Sequence, residues 1–476
     1  MFPGTEDLYR VAPELVLCAA GILVMLVGPF LPRRRQGATA FLALLGAALA
    51  LVATRWQMLH PGTAFSGLMR ADDFSIFVHF VVCAVALLVI LASRDYLERE
   101  GLQHGEYYAL VLFATAGMGV MAGAQELVTA FIGLEMSSIA SYILASFRRD
   151  ALKSNEAAMK YFLLGSFATA FFLYGVALVY GATRTTLLPR MDQVAANPLL
   201  LRLGLGMIFV GLAFKVAAAP FQLWTPDVYE GAPTPVTALL SAGPKAAAFA
   251  LLLRIFDTVL AANQLWFWAL WISAVLTMFA GNLAALVQTN VKRLLAYSSI
   301  AHAGYILVAF AARNEIGTAA VLFYLVAYAL MKLGAFTMVA HLPGEGEWRL
   351  EINDYAGLGS QQPLAAACLT LYLLSLLGLP VTAGFLGKFY IFNAALKSHL
   401  VWLAVLFALN SVLSVYYYLR VIVVMYMREP QEEWTPTPIP AAVGLVLFLT
   451  AAGTIYLGLF PNYVMGFAAQ SAIFPH

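Results

Sequence analysis

Charged residues are scarce in this chain, and that scarcity decides its class. Only 11% of the 476 residues are Asp, Glu, Lys or Arg, whereas 62% are hydrophobic. Ordinary globular domains carry about 25% charged and about 45–50% apolar residues. The composition therefore excludes a water-soluble domain and predicts that the chain lies in a lipid bilayer. The net charge of +2 gives no reason to expect a nucleic-acid partner.

Cysteine is almost missing as well. The three cysteines, Cys18, Cys83 and Cys368, lie in apolar runs and have no metal-like or redox-like spacing. We interpret them as small packing residues. No G-x-G-x-x-G follows a strand-like segment, and no cysteine cluster could hold an iron–sulfur centre. We therefore expect neither a cofactor nor a metal in this chain.

Long hydrophobic runs are abundant. A crossing helix needs about 20 apolar residues, and this rule predicts an all-α polytopic membrane protein with about 14 transmembrane helices in one domain, 1–476. The predicted spans are 11–31, 37–59, 73–93, 107–123, 125–147, 155–181, 201–222, 235–257, 263–288, 294–312, 315–340, 362–396, 400–427 and 438–460.

The positive residues near the first spans predict an orientation. The leader 1–10 carries Glu6, Asp7 and a single basic residue, and Arg33-Arg34-Arg35 follows the first span. A cleaved signal peptide has the opposite order. The pattern predicts an N-terminus outside and arginines inside. An even number of spans then returns the C-terminus to the outside.

Two spans contain helix breakers. Pro220 ends the seventh span, and Pro380 lies within the twelfth. Proline removes a helix hydrogen bond and clashes with the preceding turn, so both helices are predicted to be discontinuous. The broken helix is the fourth of five in each of two blocks, and an odd number per block predicts inverted repeats. The predicted divisions are N-terminal helices 1–104, first repeat 105–258, second repeat 259–428 and C-terminal helix 429–476.

Four lysines lie within membrane-length apolar segments: Lys215, Lys245, Lys332 and Lys388. A charge near the bilayer centre costs about 2.5–3.5 kcal/mol. An amine removed from water gives up its proton more readily, so the pattern predicts a route for protons or ions. Snorkelling is the competing interpretation for Lys215, which lies about 10 Å from the predicted end of its span.

Glu135 and His302 complete the buried ionisable set. A buried acid needs a partner, and we predict that Glu135 pairs with Lys215; a static structural ion pair is the alternative. His302 could relay a proton through its two ring nitrogens or could be a structural histidine. A sodium site would need several carboxylate and carbonyl oxygens close together. One acid within the membrane therefore favours protons.

Two polar segments are predicted on the inside face. The connector 220–235 is rich in proline, and its Asp227 and Glu230 could collect protons or could form a solvated turn. The stretch 341–361 is predicted to be an ordered loop or a solvated connector. The role of Lys332 is open: it could be a relay that joins the two halves or a structural partner.

Several segments carry a family resemblance. The stretch 214–238, which begins Phe-Lys-Val-Ala-Ala-Ala-Pro, resembles the signature of the antiporter-like membrane subunits of respiratory complex I. The segments 133–135, 244–245, 292–302 and 384–389 are similar to the same family. The resemblance covers essentially the whole chain.

The resemblance implies a 14-helix proton-translocating subunit of NADH–quinone oxidoreductase in a bacterial cytoplasmic membrane. It implies that the family's Glu/Lys pair falls on Glu135 and Lys215, the central lysine on Lys245 and the exit lysine on Lys388. Relatives often carry histidine where Gln222 stands. NADH, FMN, iron–sulfur clusters and quinone are expected in other subunits, and the implied partners are antiporter-like subunit M, the small membrane subunits and lipid.

Two alternative functions stay open on the sequence alone. The chain could belong to a multisubunit sodium/proton antiporter or a membrane-bound hydrogenase of the same superfamily. It could also be a passive scaffold whose buried charges only hold helices together.

Overall fold

A computed structural model describes residues 4–32, 36–194, 197–259, 264–430 and 438–472; the predicted arginine cluster at 33–35 lies outside them. The helices of the described chain are α1 (Thr5–Arg10), α2 (Ala12–Val27), α3 (Gly37–Gln57), α4 (Asp73–Arg99), α5 (Gly105–Gly123), α6 (Leu127–Ala145), α7 (Leu152–Thr183), α8 (Leu188–Val194), α9 (Pro198–Val216), α10 (Trp224–Gly231), α11 (Thr234–Val259), α12 (Gln264–Leu286), α13 (Val291–Ala311), α14 (Glu315–His341), α15 (Leu358–Gln361), α16 (Pro363–Leu377), α17 (Ala383–Lys397), α18 (Val401–Met427), α19 (Ala441–Leu459) and α20 (Asn462–Ser471).

The predicted fold class is confirmed. Within the described ranges, 13 helical segments are long and apolar enough to cross a membrane. The remaining crossing consists of two shorter helices, α16 and α17, separated by a break. The seventh crossing ends earlier than predicted, at Val216, because the chain turns there before it reaches the proline at 220.

Alternating crossings define two faces. The N-terminal face carries α1, α8, α20 and a small antiparallel hairpin of β1 (Gly62–Ala64) and β2 (Met69–Ala71). The opposite face carries α10, α15 and the loop 342–357. Isolated β-bridges outside the two strands join loops on each face: Glu126 pairs with Leu187 on the N-terminal face, and Asn290 pairs with Glu351 on the opposite face.

Three helices form the centre of the bundle. The most apolar 18-residue windows of α11, α13 and α14 are 100%, 94% and 89% buried, whereas those of α2, α7 and α19 are only 33% buried. The outer helices expose large apolar side chains such as Phe41, Phe167 and Phe448. Such a surface is suited to lipid contact. Lys245 and Lys332 therefore belong to the helices farthest from lipid.

The seventh crossing is broken between α9 and α10. Ala217 adopts a left-handed conformation with φ 61°, and the Ala218 N–H donates to the Ala213 carbonyl over 2.8 Å. This is the pattern of a helix C-terminus closed by a left-handed residue. In lipid, backbone groups freed by a break need partners. The Thr277 hydroxyl accepts from the Ala219 N–H over 2.8 Å.

The twelfth crossing is broken in the same way. Gly378 follows α16 with φ 98°, and the Leu379 N–H donates to the Leu374 carbonyl over 2.9 Å. Glycine fits this position because a left-handed residue with a Cβ is strained. The break, residues 378–382, contains the predicted breaker Pro380. Both predicted discontinuous helices are present.

A buried ion pair joins the ends of two helices on the N-terminal face. Arg254 of α11 donates to both carboxylate oxygens of Asp72 over 2.8 and 3.0 Å and to the Ala122 carbonyl over 2.9 Å. Burial alone would raise the pKa of Asp72, but the charge and hydrogen bonds of Arg254 hold it below its ordinary value. The pair therefore stays ionised and links α4, α5 and α11.

We expect Arg254→Gln to cost about 3–5 kcal/mol, because it leaves a buried carboxylate without its countercharge. Arg70→Gln is the matched control. Arg70 also contacts Asp72, over 3.5 Å, but its side chain is 30% exposed, so its loss should cost at most about 1 kcal/mol. Thermal unfolding of the detergent-solubilised protein compares the two. Equal shifts in Tm would contradict the importance of the buried pair.

Candidate functional site

All four predicted lysines lie in the interior. The exposed fraction is 5% for Lys215, 2% for Lys245, 0% for Lys332 and 6% for Lys388. An ammonium group buried this deeply needs hydrogen-bond acceptors or π-electrons in place of water. The partners of the four amines divide the site into three groups.

The first group contains Glu135 and Lys215. The Lys215 Nζ donates to the Tyr161 hydroxyl over 3.3 Å and lies 5.5 Å from the centre of the Tyr142 ring. Glu135 accepts from the Thr169 hydroxyl over 2.7 Å. Although both residues belong to the described chain, no ion pair within 4 Å joins them. The predicted pairing of Glu135 with Lys215 thus stays a prediction. Thr169, the partner of Glu135, and Lys215 line the same narrow crevice.

The second group, here called the central cluster, surrounds two neighbouring serines of α13. Lys245 donates to the Ser299 hydroxyl over 2.6 Å and to the Ser299 carbonyl over 2.8 Å. Tyr328 donates to the same hydroxyl over 2.7 Å, and the Tyr229 hydroxyl lies 3.5 Å away. One serine therefore gathers a lysine from α11 and tyrosines from α10 and α14.

Ser298 organises the other half of the central cluster. Lys332 donates to its hydroxyl over 2.9 Å and to the Leu295 carbonyl over 2.7 Å. The Ser298 and Tyr418 hydroxyls share a short hydrogen bond. The Tyr418 hydroxyl lies 3.1 Å from His302 Nε2. This chain of contacts connects Lys332 to His302, which gives Lys332 a place beside the predicted histidine.

His302 lies between two phenols. Its Nδ1 is 2.6 Å from the Tyr324 hydroxyl, and its Nε2 contacts Tyr418. A neutral imidazole donates from one nitrogen and accepts at the other. In this position it could pass a proton from one hydroxyl to the next by changing its tautomer.

Helical spacing explains why these side chains converge. Residues three or four apart share one face of a helix. Tyr324, Tyr328 and Lys332 follow each other at intervals of four on α14. The serines of α13 lie one turn before His302. Two facing helices therefore bring a row of polar groups together inside an apolar bundle.

The third group holds Lys388 at the break of the twelfth crossing. Its Nζ donates to the Leu377 carbonyl over 2.7 Å and to the Ser411 hydroxyl over 3.0 Å, and it lies 5.1 Å from the centre of the Tyr305 ring. Leu377 is the last residue of α16, where the helix dipole is negative and its carbonyls lack helical partners. A Cβ on Gly378 would lie 3.1 Å from Lys388 Cδ. The glycine thus leaves space for the lysine.

Asp227 and Glu230, the predicted proton-uptake residues, lie in a network of ion pairs on the opposite face. Asp227 contacts Lys160 and Arg293, each over 2.8 Å, and Glu230 contacts Arg293 over 2.9 Å. Burial would raise the pKa of Asp227, but the hydrogen bonds from Lys160 and Arg293 lower it below its ordinary value. Asp227 therefore stays ionised, and its role in proton uptake stays a prediction.

Glu347 is a buried carboxylate that the sequence analysis did not single out. It lies in the polar loop on the opposite face and accepts from Lys292 over 3.1 Å, Tyr96 over 2.7 Å and the Thr234 hydroxyl over 2.5 Å. Although burial alone would raise its pKa, the charge of Lys292 and the hydrogen bonds from Thr234 and Tyr96 lower it to about 2. The stretch 341–361 contains short helical turns, and the contacts of Glu347 anchor it to α4, α11 and α13.

A third buried pair lies near the N-terminal face. His79 Nε2 is 2.8 Å from a carboxylate oxygen of Glu14 and 3.2 Å from the Gly119 carbonyl. The sequence analysis missed Glu14 because it lies at the start of the first span. It missed His79 because a single histidine in an apolar helix carries no pattern.

Other members of the site had a detectable signal. Ser298 and Ser299 precede His302 within the segment 292–302 that carries the family resemblance, and Tyr328 lies one helical turn before Lys332. Tyr418 had no such sequence signal, because only the packing of α18 against α13 brings it to the site. Among the described residues, no group of three or more His, Cys, Asp and Glu could hold a metal ion.

Comparison with known proteins identifies the family. The family described as "NADH:quinone oxidoreductase/Mrp antiporter, TM" matches residues 124–414, which include all four lysines. The chain belongs to this family. Its antiporter-like fold and its membrane location are therefore established, and the resemblance noted in the sequence is confirmed.

Relatives within the family carry the name NADH-quinone oxidoreductase subunit N. Subunit N 1 of Solibacter usitatus is 50% identical over 98% of this chain and 97% of its own length. Subunit N of Trichlorobacter lovleyi is 47% identical with the same coverage. The segments Glu156–Phe167 and Asp227–Pro233 of this chain also look most like subunit N, so the more specific resemblance is confirmed as well.

Solved structures show the same architecture. A chain of respiratory complex I from Thermus thermophilus with bound aureothin is 38% identical, with a TM-score of 0.82 over 96% of this chain and 99% of that chain. A chain of the Mrp complex from Dietzia is 21% identical, with a TM-score of 0.88 over 98% and 97%. The second likeness shows the shared fold alone.

The low pKa of Glu347 predicts how its loop responds to acid. A carboxyl whose pKa falls from 4.5 to about 2 on folding stabilises the folded state on the order of 3 kcal/mol at neutral pH. This contribution is complete above the unfolded pKa and is lost as pH falls through the folded pKa. We expect hydrogen-exchange protection of residues 347–352, corrected for intrinsic exchange, to decrease between about pH 4.5 and 2.

Glu347→Gln is the control for this experiment. It keeps the size of the side chain but has no charge to lose, so the acid-dependent decrease should disappear. If the wild type and the variant lost protection over the same pH range, another group would be responsible.

Proposed function

We propose that this chain is a proton-translocating membrane-arm subunit of an NADH–quinone oxidoreductase. One observation carries the proposal: four buried amines lie along the middle of the bundle, two of them joined to tyrosines and a histidine by hydrogen bonds. A passive scaffold would gain little from such groups, because well-packed apolar residues hold helices together at lower cost.

The serine and tyrosine hydroxyls of the central cluster provide sites for proton transfer. A serine or tyrosine hydroxyl can donate and accept at once, so the central cluster can pass a proton between lysines without holding a net charge on each oxygen. His302 continues the row toward Tyr324 through its two nitrogens. The lysine amines are then the groups that bind the proton between transfers.

The Glu135–Lys215 group is the proposed switch. A carboxylate that approaches an amine stabilises its charged form, and one that withdraws releases the proton. Glu135 bonded to Thr169 and Lys215 bonded to Tyr161 represent the separated arrangement. A change of one to three pKa units is worth about 1.4–4 kcal/mol, comparable with about 2.3 kcal/mol for moving one charge against 100 mV.

The remaining parts of the proposal follow the family. Residues 105–258 and 259–428 act as two inverted five-helix repeats, each with its break at the fourth crossing. The N-terminal face lies on the periplasmic side of a bacterial cytoplasmic membrane. Quinone reduction in other subunits, which carry FMN, iron–sulfur clusters and the NADH and quinone sites, drives the switch. Antiporter-like subunit M and the small membrane subunits are the proposed neighbours.

Lys245→Met tests the role of the central cluster in proton transfer. In the complete complex reconstituted into liposomes, we expect proton pumping driven by NADH to fall at least about tenfold, because the central amine cannot be replaced by a thioether. Lys397→Met is the control, since Lys397 is exposed at the end of α17, and should pump normally. Pumping measured without sodium separates this function from sodium/proton antiport, which would require the cation.

Lys215→Ala and Glu135→Ala test the switch. If the pair supplies protons to the central cluster, each single variant should assemble but pump several-fold more slowly. The double variant should be little worse than either single variant, as expected for residues that act as a unit. Assembly is checked by native electrophoresis. An assembled complex that pumps at the wild-type rate in both variants would support a scaffold and refute the proposed mechanism.

A further inference from the structure

Two asparagines form a buried polar network between α12, α13 and α18. Asn282 of α12 and Asn410 of α18 are fully buried. Asn282 Nδ2 donates to Asn410 Oδ1 over 3.0 Å and to the Tyr305 hydroxyl over 3.1 Å. Asn282 Oδ1 accepts from the Tyr417 hydroxyl over 3.0 Å. Both N–H groups and the carbonyl oxygen of this one amide are therefore hydrogen-bonded.

Backbone carbonyls fix the orientation of both amides. Asn410 Nδ2 donates to the Leu406 carbonyl over 2.9 Å, and a carbonyl can only accept. Asn410 must therefore turn its side-chain oxygen toward Asn282, and Asn282 must turn its amino group toward Asn410. The Tyr305 hydroxyl donates to the Asn410 backbone carbonyl over 3.1 Å, so it accepts from the same amino group. The side-chain oxygen of Asn282 is thus left for Tyr417.

One side of Asn282 leads to the central cluster. Tyr417 and Tyr418 are consecutive on α18, their ring centres are 4.5 Å apart, and their side chains make a hydrogen-bond contact. Tyr418 belongs to the central cluster, where it contacts Ser298 and His302. A first set of hydroxyls therefore extends from the central cluster to the amide oxygen of Asn282.

The other side of Asn282 leads to Lys388. Tyr305 makes a side-chain hydrogen-bond contact with Ser414, and the Ser414 hydroxyl donates to the Ser411 carbonyl over 2.6 Å. The Ser411 hydroxyl accepts from Lys388 over 3.0 Å, and the same amine lies 5.1 Å from the centre of the Tyr305 ring. A second set of hydroxyls therefore extends from the amino group of Asn282 toward the lysine at the break.

We propose that Asn282 is a proton block between the central cluster and Lys388. The inference rests on the proposed function and adds the residue that keeps these amines apart. A hydroxyl that accepts one proton and releases another is still a hydroxyl. An amide that accepts a proton on oxygen from Tyr417 and releases one from nitrogen to Tyr305 becomes an imidic acid, a much less stable form. Asn282 therefore joins the two sets of hydroxyls without passing a proton between them.

A pump of the proposed kind needs such a block. If hydroxyls connected Lys388 to the central cluster at all times, protons would equilibrate between them, and the Glu135–Lys215 switch could not maintain a gradient. An apolar residue at position 282 would also stop protons, but it would leave the buried hydroxyls of Tyr305 and Tyr417 without this partner, which is unfavourable. An amide satisfies both hydroxyls and still interrupts the route.

Asn282→Asp is the main test. A carboxyl has nearly the shape of the amide, but it is still a carboxyl after it accepts a proton on one oxygen and releases one from the other. It should therefore pass protons between Tyr417 and Tyr305. A pH gradient is imposed across liposomes that contain the complete complex, without NADH, and its decay is followed. We expect the gradient to decay several-fold faster than with the wild type.

Asn410→Asp is the matched control. It places the same carboxyl in the same network but leaves the amide of Asn282 intact, so the gradient should decay at the wild-type rate. Asn282→Ser is a second test, because its hydroxyl can also relay a proton, and it decides the question if the aspartate variant does not assemble. Asn282→Leu should not leak. If leucine leaks as much as aspartate or serine per assembled complex, the network is only structural and the block is refuted.

Lys388→Met separates a proton route from a damaged bundle. Combined with Asn282→Asp, it removes the amine that receives protons from the new carboxyl, so the decay should return toward the wild-type rate. A double variant that leaks as fast as Asn282→Asp alone would show that the protons take another way, and it would overturn the inference.

Failure of the block and failure of the proposed function give different results. If Lys245→Met loses pumping while Asn282→Asp and Asn282→Ser hold the gradient like the wild type, the block is refuted and the proposed function stands. If Lys245→Met itself pumps normally, the proposed function is refuted.

Discussion

The need to hold amines away from water governs the design of this bundle. None of the four buried lysines has a carboxylate within ion-pair distance in the described structure; instead they use serine hydroxyls, backbone carbonyls and aromatic rings. These neutral partners stabilise an ammonium less than a carboxylate would. Such partners suit amines that gain and lose a proton, as we propose for this site. Full ion pairs are found at the two faces, where fixed charges hold the helices and loops in place.

This division between faces and centre explains the distribution of strong contacts. Asp72 with Arg254 and Glu347 with Lys292 carry charge-assisted hydrogen bonds at the ends of helices. Both acids have a lowered pKa, so these pairs persist at neutral pH. The middle of the bundle can then contain weaker and more adaptable contacts. Rigid ends and an adaptable centre suit the proton transfer that we propose for this bundle.

Much of the fold could be predicted from the sequence, because hydrophobic length and proline position are local signals. The crossings and both breaks followed from them. The lysines were found because a charge in an apolar run is conspicuous. One partner could not be found in this way: Tyr418 looks like an ordinary helix residue until the packing of α18 against α13 brings it to the central cluster. Glu347 was overlooked because a carboxylate in a polar loop resembles a solvated one, and its burial depends on contacts from distant helices.

The contact between Lys388 and the Leu377 carbonyl has a mechanical consequence. The amine sits across the break of the twelfth crossing and ties α17 to the final turn of α16. A charged amine forms a stronger hydrogen bond to that carbonyl than a neutral amine does, because charge-assisted hydrogen bonds are stronger. A change in the charge of this amine would therefore change how firmly the two half-helices are held together at the break.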